Sequence, residues 1–131
     1  MQGDVLMQVQ TFFDQALAKA DRHGVQRQRI VLDPGIGFGK TVEQNLLLLR
    51  EHARFHALGC PTLVGWSRKS TLGAVLAARV MHGQVPEPQE RVQASVAAAL
   101  LSVERGARVV RVHDVAPTVQ ALALWLAMQD H

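Results

Sequence analysis

Apolar residues recur along this chain at spacings that separate helices from strands. From Gly3 to Gly24 the positions Val5, Val9, Phe12, Phe13, Ala16, Leu17 and Ala20 fall on one side of a helix, with Asp4 placed to cap its start and Gly24 its end. The aliphatic run Ile30-Val31-Leu32 then ends in a carboxylate. Pro34 cannot donate to a sheet ladder and pushes its predecessor out of helical space, so a buried strand over 30–33 is expected to stop at Asp33. A helix from about Val42 to Leu58 follows, with Leu46, Leu49, Ala53 and Ala57 toward the sheet and Gly59 at its end.

The pattern repeats twice. After Pro61 the run Thr62 to Gly65 reads as a second strand ending in the polar cluster Ser67-Arg68-Lys69-Ser70, followed by a helix from about Thr71 to Met81. A Gly-Pro-rich connection, His82 to Pro88, leads to an alanine-rich helix from about Gln89 to Arg105, whose small residues suit close packing, and Gly106 ends it. The third strand, Arg108 to Val112, delivers Arg111, His113 and Asp114 to its end. A last helix from Pro117 to about Met128 is expected to bury Leu122 and Leu126.

Three strands, each followed by a helix and each ending in polar residues, predict consecutive βα units of a parallel sheet, preceded by one helix. A closed (β/α)8 barrel takes about 250 residues, so the expectation is the C-terminal part of such a TIM barrel, in one partial domain over 1–131 with two open sheet edges; a small open α/β sandwich is the alternative.

Composition narrows the chemistry. With 48% hydrophobic and 19% charged residues the chain has enough apolar material for a core. The net charge of +3 comes mostly from arginines scattered along helices, without a run of like charge, which points to an anionic small molecule and away from nucleic acid. The single cysteine, Cys60, reads as a buried thiol. No apolar run is long enough for a bilayer and no basic, apolar leader opens the chain, so a cytoplasmic enzyme or enzyme piece is expected.

The loop Asp33-Pro34-Gly35-Ile36-Gly37-Phe38-Gly39-Lys40 invites a phosphate-loop reading, because it ends in Gly-Lys-Thr. The spacing refuses it: the first glycine of a Walker A loop would fall at Pro34, and Gly-x-Gly-x-Gly also departs from the dinucleotide fingerprint. His52 and His56 are four apart, as zinc ligands on a helix can be, but no Glu follows His52 and no third ligand is evident, so a solvated helix face is expected and no metal ligand is assigned.

Together, Asp33 to Lys40, Gly65-Trp66-Ser67-Arg68-Lys69-Ser70 and Arg111-Val112-His113-Asp114-Val115 closely resemble the C-terminal half of dihydropteroate synthase, over about Gly3 to Met128. The resemblance implies a (β/α)8 barrel that joins hydroxymethyl-dihydropterin pyrophosphate to p-aminobenzoate, releasing pyrophosphate in folate synthesis, and that is a target of sulfonamides. It implies that this chain supplies the helix after strand five and the last three strands. The family's N-terminal half, with a first-strand asparagine associated with magnesium and two mobile loops, would lie outside this sequence. Mg2+ is therefore the expected cofactor, with its ligand elsewhere, and the isolated chain is expected to be inactive and to self-associate or dimerise. Ala94 stands where the family usually has glycine.

On this resemblance, Asp33 accepts the adjacent N–H donors of the pterin edge, and Lys69 meets the pterin carbonyl near p-aminobenzoate. Phe38 lines the p-aminobenzoate pocket, while Gly37 and Gly65 let backbone approach the ligand. Ser70, at a predicted helix start, suits the p-aminobenzoate carboxylate and would also serve as a plain N-cap. Arg111 and His113, two apart on a strand, share a face and suit pyrophosphate; Lys69, Arg111 and His113 form the expected catalytic set, and Asp114 reads as structural. The alternatives are the pterin-binding domain of a corrinoid methyltransferase, which the Ser-Arg-Lys-Ser cluster disfavours, and a non-catalytic, self-associating ligand-binding module.

Overall fold

The structure is a computed structural model that describes residues 4–130; the expected helix start at Gly3 lies outside them. In chain order the elements are α1 (Val5–Arg22), α2 (Val42–Arg50), β1 (Leu63–Val64), α3 (Ser70–Arg79), α4 (Val92–Glu104), β2 (Val109–Val110) and α5 (Val115–Gln129), with 3-10 turns at Arg27–Arg29, His52–Leu58 and Pro88–Glu90. Asp4 accepts the Leu6 N–H at 2.9 Å and so caps α1. The helix buries Val5, Leu6, Val9, Phe13 and Leu17, and leaves Phe12 outside.

The sheet is small and parallel. β1 pairs with β2 in the register Leu63 to Val109 and Val64 to Val110. The expected first strand is reduced to a single parallel bridge between Leu32 and Thr62, formed as Leu32 N–H donates to Pro61 O and Leu63 N–H donates to Leu32 O. Its flanks explain the loss: the Ile30 N–H is taken by Arg27 O in a 3-10 turn, and Pro34 has no N–H to offer. The three segments still lie side by side in chain order, and all run the same way.

The core lies between α1, α2 and this sheet. Phe13 and Phe55 meet edge to face at 5.2 Å, and Leu32, Ile36, Leu48, Val64 and Trp66 close around them. The stretch expected as one helix over 42–58 divides at Glu51 into α2 and the 3-10 turn His52–Leu58, and the face that the two bury differs from the expected one. Leu46 is 40% exposed and Ala53 and Ala57 face solvent, whereas Asn45, Leu48, His52 and Phe55 are buried. The inward stripe is rotated by one residue because Leu48 and Phe55 are the groups that reach the core, and the two polar members find partners. His52, expected on a solvated face, is 3% exposed, with Nε2 at 2.7 Å from Thr62 Oγ1 and its ring edge-on to Phe55. Burial holds the His52 pKa below its ordinary value.

Two further corrections concern the helices after β1. The stretch expected as one helix from Gln89 breaks at Arg91 between the 3-10 turn and α4. α5 starts two residues early, at Val115, with Pro117 in its first turn where a missing N–H costs little. It packs chiefly on α4 and buries only Thr118, so Leu126, expected in the core, is exposed, as are Val119 and Leu124. Cys60 is a free, buried thiol.

Candidate functional site

The polar clusters converge where the three parallel segments end. Asp33 Oδ1 accepts the Gly35 N–H at 2.8 Å, which starts the turn into the glycine loop, while Oδ2 lies 4.0 Å from Arg111 Nη1. One carboxylate oxygen therefore shapes the loop and the other faces the cationic side of the rim. Two ammonium groups draw the loop together: Lys40 donates to Gly35 O and Phe38 O, and Lys69 donates to Ile36 O. Lys69 also stands 4.9 Å from the centroid of Phe38, whose ring is 68% exposed and is no part of the core.

Two glycines are required by proximity. Gly37 has φ +88, and a Cβ there would come within 3.2 Å of Lys69 Cδ. At Gly65 a Cβ would stand 2.7 Å from Arg111 Nη2, so the missing side chain is what lets the guanidinium lie over the end of β1. These two positions, on two different segments, hold Lys69 and Arg111 against the same rim.

Ser67 fixes His113 twice: its Oγ accepts the His113 backbone N–H at 3.0 Å and lies 2.8 Å from the ring Nδ1. Ser70 is the first residue of α3 and is exposed; the N-cap position belongs to Lys69, whose side chain makes no capping bond, so the plain capping role considered for Ser70 does not hold. Asp114 turns away from the rim into a bidentate pair with Arg68, at 2.7 and 3.2 Å. That bond to Arg68 holds the Asp114 carboxyl below its usual range.

One contributor escaped the sequence reading. Asn45, 1% exposed on α2, accepts the Gly37 N–H with Oδ1 at 3.0 Å and donates from Nδ2 to Thr71 Oγ1 at 2.8 Å, tying the glycine loop to α3. Its only sequence signal is a polar residue three positions before Leu48, on what proves to be the buried stripe.

The rim is electropositive. Lys40, Lys69 and Arg111 gather around one carboxylate, Asp33. Burial lowers the Lys69 pKa, Arg111 adds to the fall, Asp33 opposes it and Lys40 adds again; burial likewise lowers Lys40, against Asp33. Neither Asp33 nor Lys40, Lys69 or Arg111 lines the hollows of about 320 Å3, beside His52, Cys60 and Arg108, or of about 560 Å3, beside Val103, Leu122 and Trp125. Among the described residues no group of three or more His, Cys, Asp or Glu side chains could hold a metal ion, and no helix is long and apolar enough to cross a membrane.

Residues 1–113 match the family model described as pterin binding enzyme. The chain is 39% identical over 119 residues to a dihydropteroate synthase of Escherichia coli strain K12, covering 91% of this chain and 39% of that protein. It is 44% identical over 128 residues to one of Neisseria meningitidis serogroup B, covering 95% and 42%. Among solved structures it superposes on dihydropteroate synthase from Xanthomonas albilineans in complex with 7,8-dihydropteroate, with TM-score 0.89, 40% identity and coverage of 98% of this chain and 48% of that one. The Yersinia pestis enzyme in its sulfonamide drug complex gives TM-score 0.90 at 35% identity, covering 99% and 44%. The chain thus spans about two fifths of the length of these two curated relatives.

Proposed function

As this chain belongs to the family of pterin binding enzymes, we propose that it is the pterin- and anion-binding part of a dihydropteroate synthase acting in folate biosynthesis. The observation that carries the reading is the meeting of Asp33, Lys69 and Arg111 at one rim, Arg111 4.0 Å from Asp33 and Lys69 over the loop that Asp33 begins. A carboxylate between cations suits a ligand with N–H donors at one end and an anion at the other.

In the proposed reaction the bond from the pterin methylene to pyrophosphate breaks, pyrophosphate leaves with the electron pair, and the p-aminobenzoate nitrogen forms the new bond to carbon and loses a proton. Asp33 orients the pterin by accepting its N–H donors, which a carboxylate can do while Oδ1 still accepts from Gly35, since each oxygen has two lone pairs. Arg111 steadies the departing pyrophosphate, with His113 beside it, its Nδ1 already held by Ser67. Lys69 meets the pterin carbonyl; the start of α3, at Ser70, faces the p-aminobenzoate carboxylate, with Phe38 against its ring, the place a sulfonamide would take. The amine is a free nucleophile near neutral pH, so catalysis rests on charge stabilisation and positioning.

The residues present do not fit magnesium. The one rim carboxylate, Asp33, faces Arg111, and Asp114, turned away from the rim, is paired with Arg68. No step is routed through the ion, whose ligand is proposed to lie on segments that this sequence does not contain. Turnover is proposed to need those segments too. The three parallel segments are proposed to be the last three staves of a (β/α)8 barrel, with α1 as the helix before them, and the chain is proposed to self-associate through the apolar side of α5.

In a barrel completed with a relative's N-terminal half, Asp33→Asn should weaken a pterin analogue by about 2–4 kcal/mol, because one acceptor becomes a donor facing a donor. Calorimetry giving equal affinities for the two proteins would remove Asp33 from the site and the reading with it.

A further inference from the structure

The rim depends on a turn whose sequence does not suit it. Lys69 N–H donates to Trp66 O at 3.1 Å, closing the four-residue turn Trp66-Ser67-Arg68-Lys69, and its third position, Arg68, has φ +59. A turn of this shape ordinarily places glycine there, since a Cβ disfavours the left-handed region. Arginine stands at a position where glycine would be unstrained, and its backbone N–H, its carbonyl and two nitrogens of its guanidinium are all held.

The Arg68 N–H donates to Ser95 Oγ at 2.8 Å, and its guanidinium makes the bidentate pair with Asp114. Its carbonyl accepts from Arg91 Nη1 at 2.8 Å. Arg91 in turn donates from Nε and Nη2 to Pro86 O, at 3.1 and 2.8 Å, so its fork spans two backbone carbonyls from separate segments. Ser95 Oγ closes the circuit by donating to Arg91 O at 2.6 Å. The guanidinium fits only because Gly73 on α3 has no side chain: a Cβ there would stand 2.8 Å from Arg91 Nε and 2.9 Å from Cζ. Arg91 reaches the turn through the Arg68 carbonyl, and Lys69 and Ser70 follow directly from the turn that it secures.

We propose that Arg91 is a positioning residue, which holds residue 68 in the left-handed conformation and thereby presents Lys69 and Ser70 to the rim. The inference rests on the reading of that rim as the p-aminobenzoate and pterin site, and it deepens that reading by naming what keeps the Lys69 corner in place. Lysine at position 91 would reach one carbonyl but not both, because it lacks the planar fork.

The test uses the 131-residue chain, whose three lysines give separable side-chain resonances. The charged groups facing Lys69 are Asp33, Arg111 and Lys40, and burial contributes to its titration. In Arg91→Ala the corner should relax, and the Lys69 midpoint should move upward while that of Lys40 stays. Adding Arg68→Gly to Arg91→Ala should move Lys69 back toward its original midpoint, because glycine adopts positive φ unaided; a role in packing alone would show no such rescue. A folded Arg91→Ala with an unchanged Lys69 midpoint overturns the proposal, and so does a folded double variant without rescue. Should Arg91→Ala fail to fold, Arg91→Lys, which reaches one carbonyl but not both, carries the same comparison with Arg68→Gly and the same two outcomes. Failure of p-aminobenzoate to bind a completed barrel whose Lys69 midpoint responds as expected would count against the functional reading and in favour of the clamp.

Discussion

A methyl group added at Gly65 would measure how closely the rim is built. It would stand 2.7 Å from Arg111 Nη2, and the end of a flexible side chain can move away at little cost to folding. Gly65→Ala is therefore expected to leave the thermal midpoint nearly unchanged while weakening pyrophosphate binding about tenfold, or ~1.4 kcal/mol, as the guanidinium is displaced from Asp33. Equal affinities by calorimetry would show that Arg111 need not lie over Gly65 to hold an anion. At this scale the sequence exposed the residues at which an apolar run gives way to polar ones: Asp33, Lys69 and Arg111 are such positions. It hid the residues that support them. Asn45, Ser95 and Arg91 find their partners Thr71, the Arg68 N–H and the Arg68 carbonyl 26, 27 and 23 positions away, and no local pattern records a bond of that span.

Among the elements, the helices were legible in place because each repeats its apolar spacing over several turns, but not in extent: the stretches expected over 42–58 and from Gln89 each divide into an α-helix and a 3-10 turn. Nor was the inward face of 42–58 legible, because Asn45 and His52 are polar by composition and buried by pairing. The first strand was overread for a related reason: three aliphatic residues suggest a ladder, but the neighbouring 3-10 turn and Pro34 leave room for one bridge. His52 turns this packing into a pH dependence. Its folded pKa lies below the ordinary 6.5, so protonation favours the unfolded chain. The stability that neutral His52 contributes is complete above about pH 6.5 and is lost as pH falls through the lowered value. Thermal midpoints measured from pH 7 to 5 should fall, and His52→Gln, which keeps a partner for Thr62 but does not titrate, should flatten that fall. A profile for the variant parallel to the parent would assign the loss to other groups.

For the whole molecule, the helix that buries the fewest residues is α5, with Thr118 alone. Val115, Val119, Leu124, Leu126 and Met128 are all exposed, Leu124 at 75%. Sedimentation velocity should show association that rises with concentration, and Leu124→Glu should shift the chain toward monomer, since a carboxylate cannot be buried there without a partner. An unchanged distribution would place the contact elsewhere. The parallel pairing of the sheet has another consequence, for how the chain reaches this state. Leu32 meets Thr62 across 30 residues, and Leu63 meets Val109 across 46. No hairpin can start such a sheet, and each ladder must close a long loop before any sheet hydrogen bond compensates the lost entropy. The helices can form early on local information, whereas the rim, assembled only when distant strand ends come together, is among the last features to appear.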